Sequence, residues 1–290
     1  MASVGLIALC FAGEMFPQLN LGALERYRVP ANWKGKLSDI DPRDREAIPF
    51  QRPETEAATA ADVCEIDRLQ EILYAQAKVA LLVVLQGPDT SGKDGTIRKV
   101  FGPLNPAGTI VTSFKKPTPQ ELAHDFLWRI HKAVPPTRII GIFNRSHYED
   151  VLAARVHSLM AAERIAARYD QINAFERHLA ENDVTILKFY LHISKKEQKA
   201  RLEARLADPT KRWKFTPEDL AESKHWNEYI SAYETVLARC STQPAPWFIV
   251  PADRKWYPNA VVARIVRSTL EALDLTYPAE IPGLDRVQIE

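Results

Sequence analysis

Hydrophobic residues along this chain fall into short apolar runs, which alternate with longer stretches where apolar residues recur at helical spacing. The short runs predict five strands, at residues 80–86, 109–113, 138–144, 184–191 and 247–250. The helical spacing predicts seven helices, at residues 62–78, 93–101, 119–133, 161–182, 195–207, 218–240 and 258–273. Strands that are separated by helices pair in parallel through right-handed crossovers. The pattern therefore predicts an α/β fold, a three-layer α/β/α sandwich with a parallel sheet.

The segment before the first predicted helix has a different composition. Residues 16–60 are rich in proline, arginine and aspartate. We expect residues 1–60 to form an extended arm across the domain surface, with a disordered tail as the alternative. Residues 61–275 would form one α/β domain, and residues 276–290 a C-terminal tail.

The apolar run at residues 4–12 does not predict a membrane protein. It is nine residues long, too short to span a bilayer, and it lacks the basic segment that begins a signal peptide. Met15 is an alternative start of translation, which would make residues 1–14 a non-native extension. We therefore expect no membrane partner and a cytoplasmic location.

Composition and charge narrow the class of protein. With 46% hydrophobic residues the chain can bury a large core, and its net charge of +1 excludes a generally basic nucleic-acid-binding protein. A site for a polyanion must therefore be local. Cys10, Cys64 and Cys240 are few and widely separated, which predicts neither a disulfide framework nor a zinc site and suits a reducing cytosol.

A glycine-rich segment at residues 87–95, GPDTSGKDG, directly follows the first predicted strand. It matches the phosphate-loop pattern G-x-x-x-x-G-K in its usual context of strand, loop and helix. Gly87, Gly92 and Gly95 let the backbone curl so that N–H groups face phosphate oxygens, and Lys93 adds a mobile cation. The segment therefore predicts a phosphate-binding loop.

Two carboxylates distinguish this loop from the usual pattern. Asp94 stands where a serine or threonine normally binds magnesium, and Asp89 lies within the loop itself. Carboxylates repel a polyanion unless a divalent cation lies between them. The sequence therefore predicts a site for metal-bridged phosphates, with Asp89 as a metal ligand and Asp94 among the phosphate-binding residues.

A second acidic segment follows the third predicted strand. Asn144 stands where phosphate-loop enzymes usually place a metal-binding carboxylate, and Glu149 and Asp150 follow shortly after. Arg145 could bind a phosphate, or it could simply pair with Asp150. His147 is expected to pack or to form hydrogen bonds rather than to act in catalysis.

Positive charge is concentrated between residues 195 and 214, where eight cationic residues outnumber three acidic ones. The cations are Lys195, Lys196, Lys199, Arg201, Arg205, Lys211, Arg212 and Lys214. We interpret the segment as a hinged basic flap over a long phosphate substrate, with a solvated charged helix as the alternative and RNA binding as a weaker one. Lys115 and Lys116, after the second strand, are either further phosphate contacts or plain surface lysines.

Four motifs together resemble a known family. GPDTSGKDG at 87–95, FNRSHYED at 143–150, KRWKF at 211–215 and APWFIVPADRKW at 245–256 are similar to those of the second family of polyphosphate kinases. The resemblance extends over residues 21–273, and the Tyr148-Glu149-Asp150 form of the second motif is similar to the class III branch.

The resemblance implies a phosphate-loop kinase fold like that of thymidylate kinase, with a helical lid at about residues 200–226. It implies transfer of the terminal phosphoryl group of inorganic polyphosphate to AMP, ADP or their guanine equivalents. Magnesium would be required, with manganese as an alternative, and no phosphoenzyme would form. The family also implies a homo-oligomer, commonly a tetramer, with no nucleic-acid partner.

The resemblance also implies roles for individual residues. Asp89 would help to position the metal and the acceptor phosphate, Lys93 would contact the transferring phosphate, and Arg145 would belong to the second phosphate-binding motif. Arg201, Lys211, Arg212 and Lys214 would contact polyphosphate from the lid. Asn144 departs from the aspartate of some branches, which leaves Asp150 or Glu149 as the second metal ligand.

Two other functions share these features. An ATP-dependent nucleoside monophosphate kinase on the same scaffold would not need polyphosphate, and the basic flap argues against it. A non-catalytic protein that binds polyphosphate or RNA would use the same cationic surface and form no product.

Overall fold

The computed structural model describes residues 19–284 together with Val287 and Ile289, apart from the side chains of Lys214, Pro217 and Asp219. The origin of residues 1–14 and the alternative start at Met15 lie outside the described residues. The strands are β1 (Ala80–Gln86), β2 (Thr109–Ser113), β3 (Ile140–Asn144), β4 (Val184–His192) and β5 (Trp247–Pro251). They form one parallel sheet in the order β2-β3-β1-β4-β5.

The helices connect the strands and cover both faces of the sheet. They are α1 (Leu21–Leu24), α2 (Arg52–Gln76), α3 (Lys93–Thr96), α4 (Pro119–Leu122), α5 (Trp128–His131), α6 (Glu149–Val156), α7 (Ala162–Ala180), α8 (Lys195–Ala207), α9 (Pro217–Lys224), α10 (Trp226–Cys240) and α11 (Tyr257–Ala272). A π-helical turn, Ile97–Phe101, continues α3, and short 3₁₀ turns lie at Glu25–Tyr27, Leu37–Asp39, Pro106–Gly108 and Arg212–Lys214.

The central strand β1 shows why the molecule has three layers. All of its residues are buried, and successive side chains point to opposite faces of the sheet. Leu81, Val83 and Leu85 pack with α2 and α11 on one face, whereas Leu82 and Val84 pack with α6, α7 and α10 on the other. The predicted α/β/α sandwich with a parallel sheet is therefore confirmed.

The N-terminal segment lies against the domain over its described part. Leu24, Leu37 and Ile48 are buried, and the amide of Val29 donates to the carbonyl of Trp247 at 2.8 Å. This contact places the segment beside β5. Among the described residues, no helix has both the length and the apolar character needed to cross a bilayer.

Several predicted helix boundaries differ from those in the structure. The first long helix starts at Arg52 rather than 62, because Gln51 and Glu54 form a capping box there. The predicted helix 119–133 is two short helices, the first of which begins with a capping box of Thr118 and Glu121. Likewise, the predicted helix 218–240 is interrupted between α9 and α10, and α6 was not predicted.

Parallel pairing aligns the carboxyl ends of the strands at one edge. Leu85 of β1 pairs with Asn144 of β3, so the segments after both strands leave the sheet side by side. Ligands of open α/β sheets bind beyond this edge. The two acidic segments that the sequence analysis identified therefore meet here.

Candidate active site

The loop between β1 and α3 has the conformation that its glycines permit. Gly87 and Gly92 have φ angles of 149° and 111°, in the region that favours glycine. A Cβ atom at Gly87 would lie 2.8 Å from both the carbonyl oxygen of Leu191 and Oγ of Ser91. A side chain at Gly95 would meet nothing within 4 Å, which leaves open space beside α3.

Lys93 is folded back over this loop. Its Nζ donates to the carbonyl oxygens of Gly87 at 2.7 Å and Pro88 at 3.2 Å, and its side chain is buried. Burial lowers the pKa of Lys93 to about 8, although the nearby carboxylate of Asp89 opposes this shift. The loop thus holds a desolvated amine that an anionic ligand would keep protonated.

Asp89 and Arg145 join the two motifs. Nη2 of Arg145 donates to Oδ1 of Asp89 at 2.6 Å, and Arg145 itself has a left-handed φ of 63°. Burial tends to raise the pKa of Asp89, but Lys93 and Arg145 outweigh it and hold the pKa below its usual value. The alternative pairing of Arg145 with Asp150 is wrong, because Arg145 pairs with Asp89.

Asp94 and Asn144 form a second bridge between the motifs. Nδ2 of Asn144 donates to Oδ1 of Asp94 at 2.7 Å. An aspartate at 144 would place two carboxylates in contact here, whereas the amide supplies a donor. The amide of Asn144, which stands where some branches of the family have an aspartate, is therefore complementary to the carboxylate of Asp94.

The two candidate second metal ligands lie in different surroundings. Burial raises the pKa of Glu149, and the nearby charges of Arg145 and Lys93 oppose this shift. With the Gln86 amide oriented to satisfy its hydrogen bonds, its nitrogen donates to Oε1 of Glu149 at 3.1 Å. Glu149 therefore faces the phosphate loop.

Asp150, in contrast, is held by two arginines. Its Oδ1 lies 3.3 Å from Nη1 of Arg168, and its Oδ2 lies 3.8 Å from Nη2 of Arg129. Burial raises the pKa of Asp150, and these arginines and His147 oppose the shift. The geometry thus favours Glu149 over Asp150 as a carboxylate available to a ligand at the loop.

A buried network of hydrogen bonds includes two residues of the second motif, Tyr148 and His147. Nζ of Lys188 donates to Oε2 of Glu176 at 2.5 Å, to the Tyr148 hydroxyl at 2.8 Å and to the carbonyl of Cys240 at 2.7 Å. Oε1 of Glu176 lies 2.8 Å from the Tyr148 hydroxyl and 3.1 Å from Nε2 of His147. His147 is thus a buried hydrogen-bonding residue, as expected.

Sequence reasoning missed Glu176 and Lys188. The available signal was a single lysine inside the apolar strand segment VTILKFYLH, since a lysine in a buried strand needs an anionic partner. Which helix would supply that partner could not be read from the chain.

The basic residues after β4 divide into two groups. Arg201 was expected to bind polyphosphate; in the structure all five of its N–H groups donate within the protein, and a contact with polyphosphate stays a prediction. Lys211 pairs with Asp208, and Nε of Arg212 donates to the carbonyl of Leu206 at 2.7 Å, both on the exposed surface. The side chain of Lys214 lies outside the described residues.

Lys115 and Lys116 are exposed directly after β2, at the carboxyl edge of the sheet. They therefore lie on the same edge as the phosphate loop, and their use as phosphate contacts stays a prediction.

The acidic residues near the loop suit a magnesium ion that is held partly by water and substrate phosphates, rather than a metal ion held by protein ligands alone. Within the described residues, no group of three or more His, Cys, Asp or Glu side chains could hold a metal ion. Magnesium usually binds through one or two carboxylates, with water and substrate phosphates completing its six oxygen ligands. Asp89 and Glu149 are hard oxygen donors beside the phosphate loop, so they suit such a site.

Comparisons with known proteins agree with the family resemblance. The family model described as "Polyphosphate kinase 2 (PPK2)" matches residues 50–278. An "AMP/ADP-polyphosphate phosphotransferase" of Meiothermus ruber is 45% identical over 267 residues, 92% of this chain and 100% of that protein. An "ADP-polyphosphate phosphotransferase" of Rhodopseudomonas palustris is 42% identical over 74% of this chain and 78% of its own length.

A solved structure agrees as well. The crystal structure of polyphosphate kinase 2 from Arthrobacter aurescens TC1 superposes with a TM-score of 0.88 at 40% identity. The match covers 91% of this chain and 94% of that one.

Proposed function

The chain belongs to the polyphosphate kinase 2 family, and we propose that it transfers the terminal phosphoryl group of inorganic polyphosphate to nucleoside mono- and diphosphates. The observation that carries this proposal is the meeting of Lys93, Asp89 and Arg145 at one glycine-rich loop. The Meiothermus ruber relative, matched over its full length, is named for both AMP and ADP. We therefore propose that AMP and ADP are phosphoryl acceptors. Their guanine equivalents, GMP and GDP, belong in the same assay.

The reaction requires placement and charge neutralisation rather than a covalent intermediate. A terminal oxygen of the acceptor phosphate attacks the terminal phosphorus of polyphosphate, and the bond to the bridging oxygen of the chain breaks. Lys93 and Arg145 donate to the equatorial oxygens as negative charge shifts to the leaving chain. To do so, Lys93 exchanges the carbonyls of Gly87 and Pro88 for phosphate oxygens.

The carboxylates hold the cation and orient the arginine. Asp89 and Glu149 would bind magnesium, or manganese in its place, which supplies charge neutralisation between donor and acceptor phosphates when bound. Asp89 also fixes the guanidinium of Arg145 through their ion pair. Asp94 stays a proposed phosphate-binding residue, and the amide of Asn144 holds its carboxylate through their hydrogen bond.

The remaining basic residues would bind the polyphosphate chain. We propose that residues 200–226 act as a lid, and that Lys211, Arg212 and Lys214 contact the chain when it closes. Lys115 and Lys116 would contact further phosphates of the chain. We also propose a cytoplasmic homo-oligomer, a tetramer by family resemblance, with residues 1–60 as an arm, 61–275 as the catalytic domain and 276–290 as a tail.

A donor–acceptor matrix tests the function. Purified protein is incubated with magnesium, each of AMP, ADP, GMP and GDP, and either polyphosphate or ATP as donor, and products are separated by chromatography. We expect ADP and ATP to form only with polyphosphate. Product formation with ATP as the only donor would favour an ATP-dependent nucleoside monophosphate kinase. Salt-sensitive binding of polyphosphate without any product would favour a non-catalytic binding protein.

Two substitutions test whether phosphoryl transfer depends on the phosphate loop. Lys93→Ala and Asp89→Asn should each lower the rate by about 10²- to 10³-fold. The first removes a donor to the transferring phosphate, and the second removes a proposed metal ligand and the ionic partner of Arg145. Lys78→Ala is the matched control, since this exposed lysine precedes β1 and lies at the opposite edge of the sheet. A folded Asp89→Asn enzyme with the wild-type rate would remove Asp89 from the mechanism.

A further inference from the structure

Arg201 is the most completely bonded cationic side chain near the loop. It lies on α8, is 8% exposed, and donates from Nε to Oε1 of Glu197 at 2.7 Å. Its Nη1 donates to the carbonyls of Thr90 at 2.9 Å and Ser91 at 3.0 Å. Its Nη2 donates to the carbonyls of Ala252 at 2.6 Å and Asp253 at 3.0 Å.

These bonds fix the direction in which the loop amides point. In a trans peptide the carbonyl and the N–H of one peptide unit point in opposite directions. The carbonyls of Thr90 and Ser91 are turned toward the guanidinium, so the N–H of Gly92 is turned away from it. Arg201 also offsets the partial negative charge of two carbonyls that would otherwise repel a phosphate.

The same helix contacts the loop at a second point. Nε2 of Gln198, which precedes Arg201 by about one turn of α8, donates to the carbonyl of Asp89 at 3.3 Å. The start of α8 is fixed as well, because the amide and hydroxyl of Ser194 donate to the Asp253 carboxylate at 2.8 and 2.9 Å. The helix that leads into the proposed lid is therefore bonded directly to the phosphate loop and to the end of β5.

We propose that Arg201 is a positioning residue rather than a polyphosphate contact: it bonds to two carbonyls of the phosphate loop and to two carbonyls after β5, and so holds the loop in its binding conformation. This inference rests on the proposed function, since it concerns the same loop. A lysine retains the charge but cannot replace the planar fork of a guanidinium. The shape of the side chain is therefore essential here, beyond its charge.

The test compares Arg201→Lys and Arg201→Met with the wild type. We expect kcat to fall by about 10- to 100-fold in both variants, because a displacement of about 1 Å at the reacting groups has this effect. The KM for polyphosphate should change by less than about threefold, since no phosphate contact is removed. Arg52→Met is the matched control, because Arg52 also pairs with a glutamate four residues away but is exposed on α2.

Several outcomes would overturn the inference. They are a wild-type kcat in Arg201→Lys, or an unchanged kcat with a KM for polyphosphate raised more than about tenfold. If the Arg201 variants do not fold, as judged by circular dichroism, Gln198→Met tests the same connection. A kcat lowered about threefold or more at unchanged KM would then support it, and an unchanged kcat would overturn it.

Failure of the proposed function would look different. A wild type that forms no product in any donor–acceptor combination refutes the function and leaves the loop geometry to be tested by calorimetric binding of tripolyphosphate. Affinity within about threefold of the wild type, together with faster amide hydrogen exchange of residues 87–92 in Arg201→Lys, would support the positioning role. Affinity at least about tenfold weaker, or unchanged amide exchange, would overturn it.

Discussion

Replacing Lys188 by methionine tests the network beneath the second motif. Lys188 is fully buried on β4, and its Nζ donates to Glu176, to the Tyr148 hydroxyl and to the carbonyl of Cys240. Methionine fills similar volume but leaves the buried carboxylate of Glu176 without its cation. Breaking a buried pair from one side costs about 3 to 5 kcal/mol, so we expect the free energy of unfolding to fall by that amount at neutral pH.

The pH dependence of this loss has a definite sign. Burial tends to raise the pKa of Glu176, but Lys188 and His147 outweigh it and hold the pKa below the ordinary value of 4.5. A carboxyl group with a depressed pKa contributes stability above its unfolded pKa and loses it as the pH falls. The stability difference between wild type and Lys188→Met should therefore shrink as the pH falls below about 4.5.

The assay is a double-mutant cycle in urea, followed by tryptophan fluorescence. It compares Lys188→Met, Glu176→Gln and the double variant, with a coupling of about 2 to 3 kcal/mol expected. Lys199→Met is the matched control, because its pair with Glu203 at 3.8 Å is exposed and should contribute less than about 1 kcal/mol. A loss below about 1 kcal/mol in Lys188→Met, or additive effects in the double variant, would refute the reasoning.

Four further results are expected, at the loop and at Asp150. In metal-free buffer, the stability of the wild type relative to Lys93→Met should rise by about 2 kcal/mol between about pH 7.5 and about pH 9.5, because Lys93 sheds its unfavourable buried charge above a pKa of about 8. Equal pH dependence in urea titrations would contradict this. Glu149→Gln should lower kcat about 10²-fold and raise the magnesium requirement, whereas Asp150→Asn should lower stability by about 1 to 3 kcal/mol, because Arg168 loses a partner. A raised magnesium requirement in Asp150→Asn, with an unchanged one in Glu149→Gln, would instead assign the metal-binding role to Asp150. Removal of divalent cations with EDTA should abolish transfer until magnesium is restored, and full activity in EDTA would exclude a metal-bridged site.

Part of the site could be predicted because its residues are adjacent in sequence. The phosphate loop needs glycines at fixed spacing after a strand, so Gly87, Gly92 and Lys93 were identified from the pattern itself. Parallel strands also bring their carboxyl ends to one edge, which is why the segment after β3 was expected beside the loop. The pairing of Asp89 with Arg145 was not predicted, although the register between β1 and β3 brings the two segments together.

The amino-acid order alone predicted five strands, their parallel pairing and the two motifs, because apolar periodicity and backbone geometry are local properties, whereas the order of the strands came from the tertiary structure. Only the tertiary structure decided which charges meet. The sequence predicted Arg201 as a polyphosphate contact of the lid, and it did not distinguish Glu149 from Asp150 as the second metal ligand. In the folded chain Arg201 bonds to the loop, Glu149 turns toward it, and Asp150 turns away to two arginines. The physical reason is that the energy of a charged group depends on its partners and its burial, and both come from elements distant in sequence.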